Sequence, residues 1–202
     1  IFAINNIVKN NLNYFDQIYI WSETLKNKII NQFKIRKNKV LLLPFGFDQF
    51  IVKKPNYNQI RNQILFYGSW DEERENKLKH IDKKVLKIYG NGWQNASKNF
   101  KKDYQIRKEL VGKKLVEQIS KSLLCLNLFR PQAKNFINMR SFEVIGYGGR
   151  LISEFSHEQN LFFKSYKNMV YFNNINEIKY LYKNILNKKF KFINDSKKNQ
   201  RK

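Results

Sequence analysis

The chain has 202 residues, 42% of them hydrophobic and 15% aromatic, with 39 Lys and Arg against 16 Asp and Glu for a formal charge of +23. That apolar content is enough for a packed core and excludes disorder outside the ends, and the length fits one large domain or one domain with a fragment of another. No apolar run approaches the roughly 20 residues of a bilayer span, and the single Cys125 excludes an internal disulfide and points to a reducing, cytoplasmic compartment.

Gln17 to Trp21 (QIYIW) is β-branched and aromatic and predicts a strand. Ser22 is placed as the N-cap of a helix over Glu23 to Phe33, where Leu25, Ile29 and Ile30 recur at helical spacing. Lys39 to Leu43 predicts a second strand, closed by Pro44 and Gly46. The polar stretch from Asp48 to Gln59, with Pro55, reads as a linker or boundary. Gln63 to Tyr67 predicts an apolar strand ending in Gly68-Ser69, Glu72 to Ile81 a charged helix, and Lys84 to Tyr89 a strand ending in Gly90. Ile106 to Ser122 predicts one long helix, and Leu123 to Phe129 a strand broken by Arg130-Pro131. Asn138 to Tyr147 predicts a helix stopped by Gly148-Gly149, followed at once by a strand over Arg150 to Ser153. A short helix over Asn160 to Lys164, a strand over Met169 to Phe172 and a helix over Asn176 to Asn187 complete the pattern. Residues 190–202 form a Lys- and Asn-rich tail.

Strands alternating with helices predict an α/β class with a Rossmann-like, doubly wound parallel sheet. The strands are near-continuous apolar runs, as strands covered on both faces are. Cys125, inside Leu123-Leu124-Cys125-Leu126, then reads as a buried thiol rather than a nucleophile. Ligands in such sheets bind beyond the carboxyl ends of the strands, here Gly68-Ser69, Gly90-Asn91-Gly92, Arg130 to Asn138 and Glu154 to His157.

At Gly68-Ser69 a glycine before a helix admits a phosphate to backbone amides, with a plain turn as the alternative. Arg130, Asn138 and Arg140 gather donors at one strand end, and guanidinium forks suit phosphate oxygens. Glu143, in S-F-E-V-I, can accept two hydroxyl hydrogen bonds such as a ribose diol offers, or pair with Arg140 one turn earlier. His80 reads as a surface group, and His157 as a candidate substrate contact. No metal-ligand spacing and no G-x-S-x-G elbow occurs, so metal and nucleophilic catalysis are not supported. The positive charge fits solvated lysine faces of an Asn-, Lys- and Ile-rich composition, or an anionic partner. Nucleic acid is disfavoured, because the aromatics fall in apolar strand positions rather than interleaving with arginines.

The segments ILFYGSWDEER (Ile64 to Arg74), LKIYGNGW (Leu86 to Trp93), LLCLNLFRPQ (Leu123 to Gln132) and NMRSFEVIGYGGRLIS (Asn138 to Ser153) resemble the carboxyl-terminal half of a group 1 glycosyltransferase. The likeness is greatest to the branch related to spore-maturation glycosyltransferases, and covers roughly residues 14–186. It implies a GT-B fold, with residues 1–43 closing a first Rossmann-like domain, 44–62 as interdomain linker and 63–189 as the nucleotide-sugar-binding domain. On this resemblance Glu143 binds the ribose hydroxyls, and Gly68 and Ser69 lie near the diphosphate. Arg74 and Arg140 offset phosphate charge, with Gly90, Arg130, Asn138, Gly148 and Gly149 completing the donor site. The implied reaction is metal-independent and cofactor-free. It moves a sugar from a nucleotide-sugar to a glycan, lipid or protein acceptor, with peripheral contact to an anionic membrane. Retaining relatives carry an acid eight residues before the ribose-binding one, where this chain has Asn135. Most of the first domain is missing, so this chain is expected to be incomplete for activity. A basic nucleic-acid-binding module and a catalytically silent remnant are the alternatives.

Overall fold

The computed structural model describes residues 11–52, 61–134 and 136–187. Expectations that fall on residues 53–60, on Asn135 and on the tail lie outside them. A small parallel pair, β1 (Ile18–Ile20) and β2 (Val40–Leu42), flanks helix α1 (Glu23–Phe33). Ser22 caps α1 by accepting from the Leu25 amide at 3.1 Å. Glu158 adds a second cap from the main domain, accepting from the Ser22 hydroxyl at 2.7 Å and from the Glu23 amide. A carboxylate at a helix amino end satisfies free amides and favours the dipole.

The main domain holds β3 (Arg61–Tyr67), α2 (Glu72–Leu78), β4 (Leu86–Tyr89), α3 (Lys98–Asp103), β5 (Ile106–Arg107), α4 (Gly112–Lys121), β6 (Ser122–Asn127), α5 (Met139–Gly146), β7 (Leu151–Glu154), α6 (His157–Phe162), β8 (Met169–Phe172) and α7 (Glu177–Leu186). Its six strands run parallel in the order β5-β4-β3-β6-β7-β8. Counting from β3, that order is 3-2-1-4-5-6, the Rossmann arrangement, with its switch point between β3 and β6. Side chains alternate across the sheet. Ile64 and Phe66 pack with Leu78, Phe100 and Ile178 on one face, while Leu65 and Tyr67 pack with Val116, Ile119 and Ile145 on the other.

Three elements depart from the sequence reading. Ile106 and Arg107 are the edge strand β5, paired with Ile88 and Tyr89, and the helix begins only at Gly112. Ile106 packs against the core of the sheet there, and Gly112 takes a φ of +53° that breaks any earlier helical turn. Helix α3 was not expected; Ser97 caps it by accepting from the Phe100 amide, and Phe100 is buried against Trp93. Helix α6 starts at His157 rather than Asn160, because Ser156 caps it from the Gln159 amide.

The segment after β2 runs over α5. Phe45 meets Phe142 edge-on at 6.4 Å, Phe47 meets Tyr147 at 5.7 Å, and the Asp48 amide donates to the Tyr147 hydroxyl. Gly146 leaves room for Phe47, since a Cβ there would stand 2.2 Å from the ring. Gly146→Ala is therefore expected to destabilise by about 1–3 kcal/mol, the usual range for overpacking. In a Phe47→Ala background the same change should cost much less. Chemical denaturation of the four-member cycle measures this; additive effects would show that the ring does not press on Gly146.

Candidate functional site

A cavity of about 580 Å³ opens at the carboxyl ends of β3, β4 and β6, at the switch point of the sheet. Gly68, Ser69, Arg74, Gly90, Arg130, Asn138, Arg140 and Glu143 all line it. Gly148 and Gly149 do not. Gly148, at a φ of +75°, turns the chain out of α5, and a Cβ on Gly149 would strike Ile119 at 2.6 Å and Val144 at 2.9 Å. The pair closes the helix against α4 instead of facing the cavity. His157 is exposed and is also absent from the lining.

The floor is set by close backbone approach. A Cβ on Gly90 would lie 2.1 Å from the Gly68 carbonyl, and one on Gly68 would lie 2.5 Å from Nη2 of Arg140. The Trp93 indole donates to the Gly68 carbonyl at 2.9 Å and pins this turn. Arg74, buried to 6% exposure, folds back from α2 so that Nη1 donates to the Ser69 carbonyl and Nη2 to the Leu128 carbonyl, both at 2.9 Å. Asp71 stands 3.4 Å from its Nε, but Nε makes no hydrogen bond. Burial, then the neighbouring charge of Arg140, pushes the Arg74 guanidinium down to about 9, so it remains a cation at neutral pH.

The amino end of α2 does not offer an anion site. Asp71 already caps it through the Arg74 amide, and Glu72, Glu73 and Glu75 fill its first turn. Three carboxylates there oppose a phosphate. Positive charge reaches the cavity through the arginine side chains.

Arg140 lies over the rings of Tyr67 and Phe66, at 4.9 and 5.5 Å from their centroids. Its Nη1 donates to Oδ1 of Asn127 at 2.8 Å, and its buried Nε has no partner. The alternative pairing of Glu143 with Arg140 does not form; Glu143 accepts from the Tyr67 hydroxyl at 3.1 Å. Burial raises the Glu143 carboxyl above its ordinary 4.5, against the pull of the Tyr67 hydrogen bond and the Arg140 charge. Asn138 caps α5 by accepting from the Ser141 amide, which fixes where Arg140 and Glu143 leave the helix. Arg130 is exposed at the rim, 3.9 Å from Asp71.

Asn91, at a strand end expected to face the ligand, lines the cavity, whereas the sequence reading passed over Tyr67, Tyr89 and the Glu109 to Gly112 loop, which line it too. The tyrosines were indistinguishable from core strand residues. Gly112 just ahead of an apolar-periodic stretch was the usable signal for the loop. Cys125 is fully buried, and burial pushes its thiol up to about 12, which removes it as a nucleophile at neutral pH.

A family model described as glycosyl transferase-like matches residues 61–190, which include the whole six-stranded sheet and its cavity. The chain belongs to the glycosyl transferase-like family. Among curated proteins, none matches its sequence. Solved structures with a similar fold include a glycosyltransferase from Rickettsia africae, at 12% identity and a TM-score of 0.70 over 99% of this chain and 62% of that one. Anabaena HepE, solved in complex with UDP and glucose, aligns at 12% identity and a TM-score of 0.71 over 96% of this chain and 60% of that one. WaaG, a glycosyltransferase of lipopolysaccharide biosynthesis, aligns at 11% identity and a TM-score of 0.62 over 91% of this chain and 57% of that one. The chain thus spans about three fifths of the length of these structures. At such identities the likeness is one of fold, the GT-B arrangement of glycosyltransferases.

A carboxyl whose folded pKa is raised above the unfolded value favours the folded state only below that unfolded value. The benefit is lost as pH rises through the folded pKa, so ionised Glu143 costs stability at pH 7. Glu143→Gln is expected to unfold at an equal or higher temperature than the parent at pH 7, and to lose that advantage at pH 4. A lower midpoint at pH 7 in calorimetry would show that Tyr67 and Arg140 outweigh burial.

Proposed function

We propose that this chain is the donor-binding part of a bacterial-type glycosyltransferase that moves a sugar from a nucleotide-sugar to a glycan, lipid or protein acceptor. The observation that carries this reading is the convergence of Arg74, Arg140 and Glu143 on one cavity at the switch point of the sheet. Two guanidiniums suit the oxygens of a diphosphate, and an ionised carboxylate accepts from both hydroxyls of a ribose. The volume falls within the range of small-ligand pockets, about 300–1,000 Å³.

In this reading the donor diphosphate lies over Gly68, Ser69 and Gly90, against Arg74 and Arg140, with Arg130 at the rim. As the bond between the sugar and the diphosphate breaks, negative charge grows on the leaving phosphate oxygen. Fixed guanidiniums stabilise that charge without a metal. Asn138 holds the start of α5, and Glu143 fixes the ribose. The likeness to HepE in complex with UDP and glucose supports a nucleotide donor. Residues 1–43 are read as the end of a first domain, 44–62 as the linker and 63–189 as the carboxyl-terminal donor domain, of the spore-maturation-related branch. Acceptor binding and any general base then belong to the first domain. We place the protein in a reducing cytoplasm, with its lysine-rich surface in peripheral contact with an anionic membrane. Among the described residues, no helix is long and apolar enough to cross a membrane. The nucleic-acid alternative is not favoured: Phe66, Trp93, Phe100, Phe129 and Phe172 are committed to the core.

Titration calorimetry with UDP, GDP and their sugar conjugates tests the reading. At least one nucleotide is expected to bind the folded chain, and Glu143→Ala to weaken it by roughly tenfold, about 1.4 kcal/mol. Affinity should fall on acidification, starting at a pH above the ordinary 4.5 of a glutamate, because the protonated acid accepts less well. Absence of binding by every nucleotide, with folding verified, overturns the proposal.

A further inference from the structure

Asn127 is the last residue of β6 and is fully buried, in a strand otherwise made of Ser122, Leu123, Leu124, Cys125 and Leu126. A buried amide must find partners for all its polar atoms. Its Oδ1 accepts from Nη1 of Arg140 and from Nδ2 of Asn138, both at 2.8 Å. Its Nδ2 donates to Oγ of Ser153 at 3.0 Å, directly across the β6–β7 ladder. Behind it, Gln159 donates to the same Ser153 oxygen at 2.9 Å, and the Ser141 hydroxyl donates to Gln159. Arginine has donors only, so the guanidinium dictates which way the amide faces.

Apart from Arg140 itself, every member of this network is neutral. Among the described residues no carboxylate stands within ion-pair distance of Arg140; Glu143, hydrogen-bonded to Tyr67, acts on it only at longer range. An aspartate at 127 would hold Arg140 equally well but cancel its charge. An apolar residue would keep the charge but release the fork, taking the acceptor of Asn138 Nδ2 and one donor to Ser153 with it. An amide does both jobs: it orients the guanidinium toward Gly68 and leaves the positive charge unspent.

We propose that Asn127 is a positioning residue that presents the charge of Arg140, which no ion pair cancels, to a phosphate group in the cavity. This rests on the diphosphate reading of the site, and extends it to a residue that does not line the cavity.

The test uses inorganic pyrophosphate as probe, titrated into the full chain over a range of salt concentrations. The parent is expected to bind with an affinity that falls as salt rises. Asn127→Asp should weaken binding by roughly ten- to a hundredfold, the scale of one charge-assisted contact, and flatten the salt dependence. Asn127→Ala should also weaken binding but keep the parent's salt dependence, because the charge remains. That contrast separates charge from mere structure. Should the aspartate variant not fold, the alanine variant decides, and unchanged affinity overturns the proposal. A folded aspartate variant with the parent's affinity and salt dependence overturns it, as does a parent that binds no pyrophosphate. Pyrophosphate binding without binding of any nucleotide would remove the nucleotide reading and leave this one standing.

Discussion

Two guanidiniums of like charge are buried together beneath one glycine, and the site is organised around keeping them there. Arg74 and Arg140 both approach Gly68, where a single methyl group would meet Nη2 of Arg140 at 2.5 Å and Nη1 of Arg74 at 3.5 Å. Burial disfavours each cation, the charge of Arg140 further disfavours Arg74, and that of Arg130 disfavours Arg140. What the protein supplies in return is mostly neutral: the carbonyls of Ser69 and Leu128, the amide of Asn127, and the faces of Phe66 and Tyr67. These groups satisfy hydrogen-bond donors without removing charge. In the proposed reading an anion in the cavity relieves the electrostatic cost of burying these cations, which is how a preorganised anion site differs from a structural ion pair.

Among the described residues, no carboxylate around the site forms an ion pair with Arg140. Glu75 accepts from the Trp70 indole and the Ser97 amide and pairs with Lys79. Glu154 holds Lys77 and the Phe129 amide. Glu143 is bound to Tyr67. Asp71 comes nearest to neutralising the pair, but its Oδ2 and the Arg74 Nε do not form a hydrogen bond. This distribution explains why a helix start crowded with acids can adjoin a positive cavity. The acids fix α2 and its loops, and the arginines turn away from the helix end into the space above β3.

Much of this was legible in the sequence because local and global signals agree there. The apolar runs at 63–67 and 123–127 are buried strands, the run at 169–172 is a half-buried one, and the Asn138 cap and Gly148 stop bracket α5. Arg140 and Glu143 could be placed at the ligand edge from their position after β6. The failures share a different cause. Ile106-Arg107 becomes a strand only because β4 offers an edge to pair with, and α3 exists because Phe100 fills a space between Trp93 and Tyr104. Both depend on partners distant in sequence. The Gly148-Gly149 pair was expected in the donor site from the resemblance, but its smallness serves helix packing against Ile119. Asn127 was visible as one polar residue in LLCLNLF, and its meaning required the positions of Asn138, Arg140 and Ser153 around it.

Helix α5 ties the small β1–β2 unit to the site. One side presents Arg140 and Glu143 to the cavity; another presents Phe142, Gly146 and Tyr147 to the segment that follows β2. Tyr147 belongs to both, lining the cavity while its hydroxyl accepts from the Asp48 amide. The second tie is Glu158 at the start of α6, which caps α1 across the same junction. Interiors are close-packed and rotate or slide as units rather than deform smoothly. The contacts that hold the small unit are therefore made on the very helix that sets the spacing between the cavity-lining arginine and the acid, so the position of one constrains the geometry of the other.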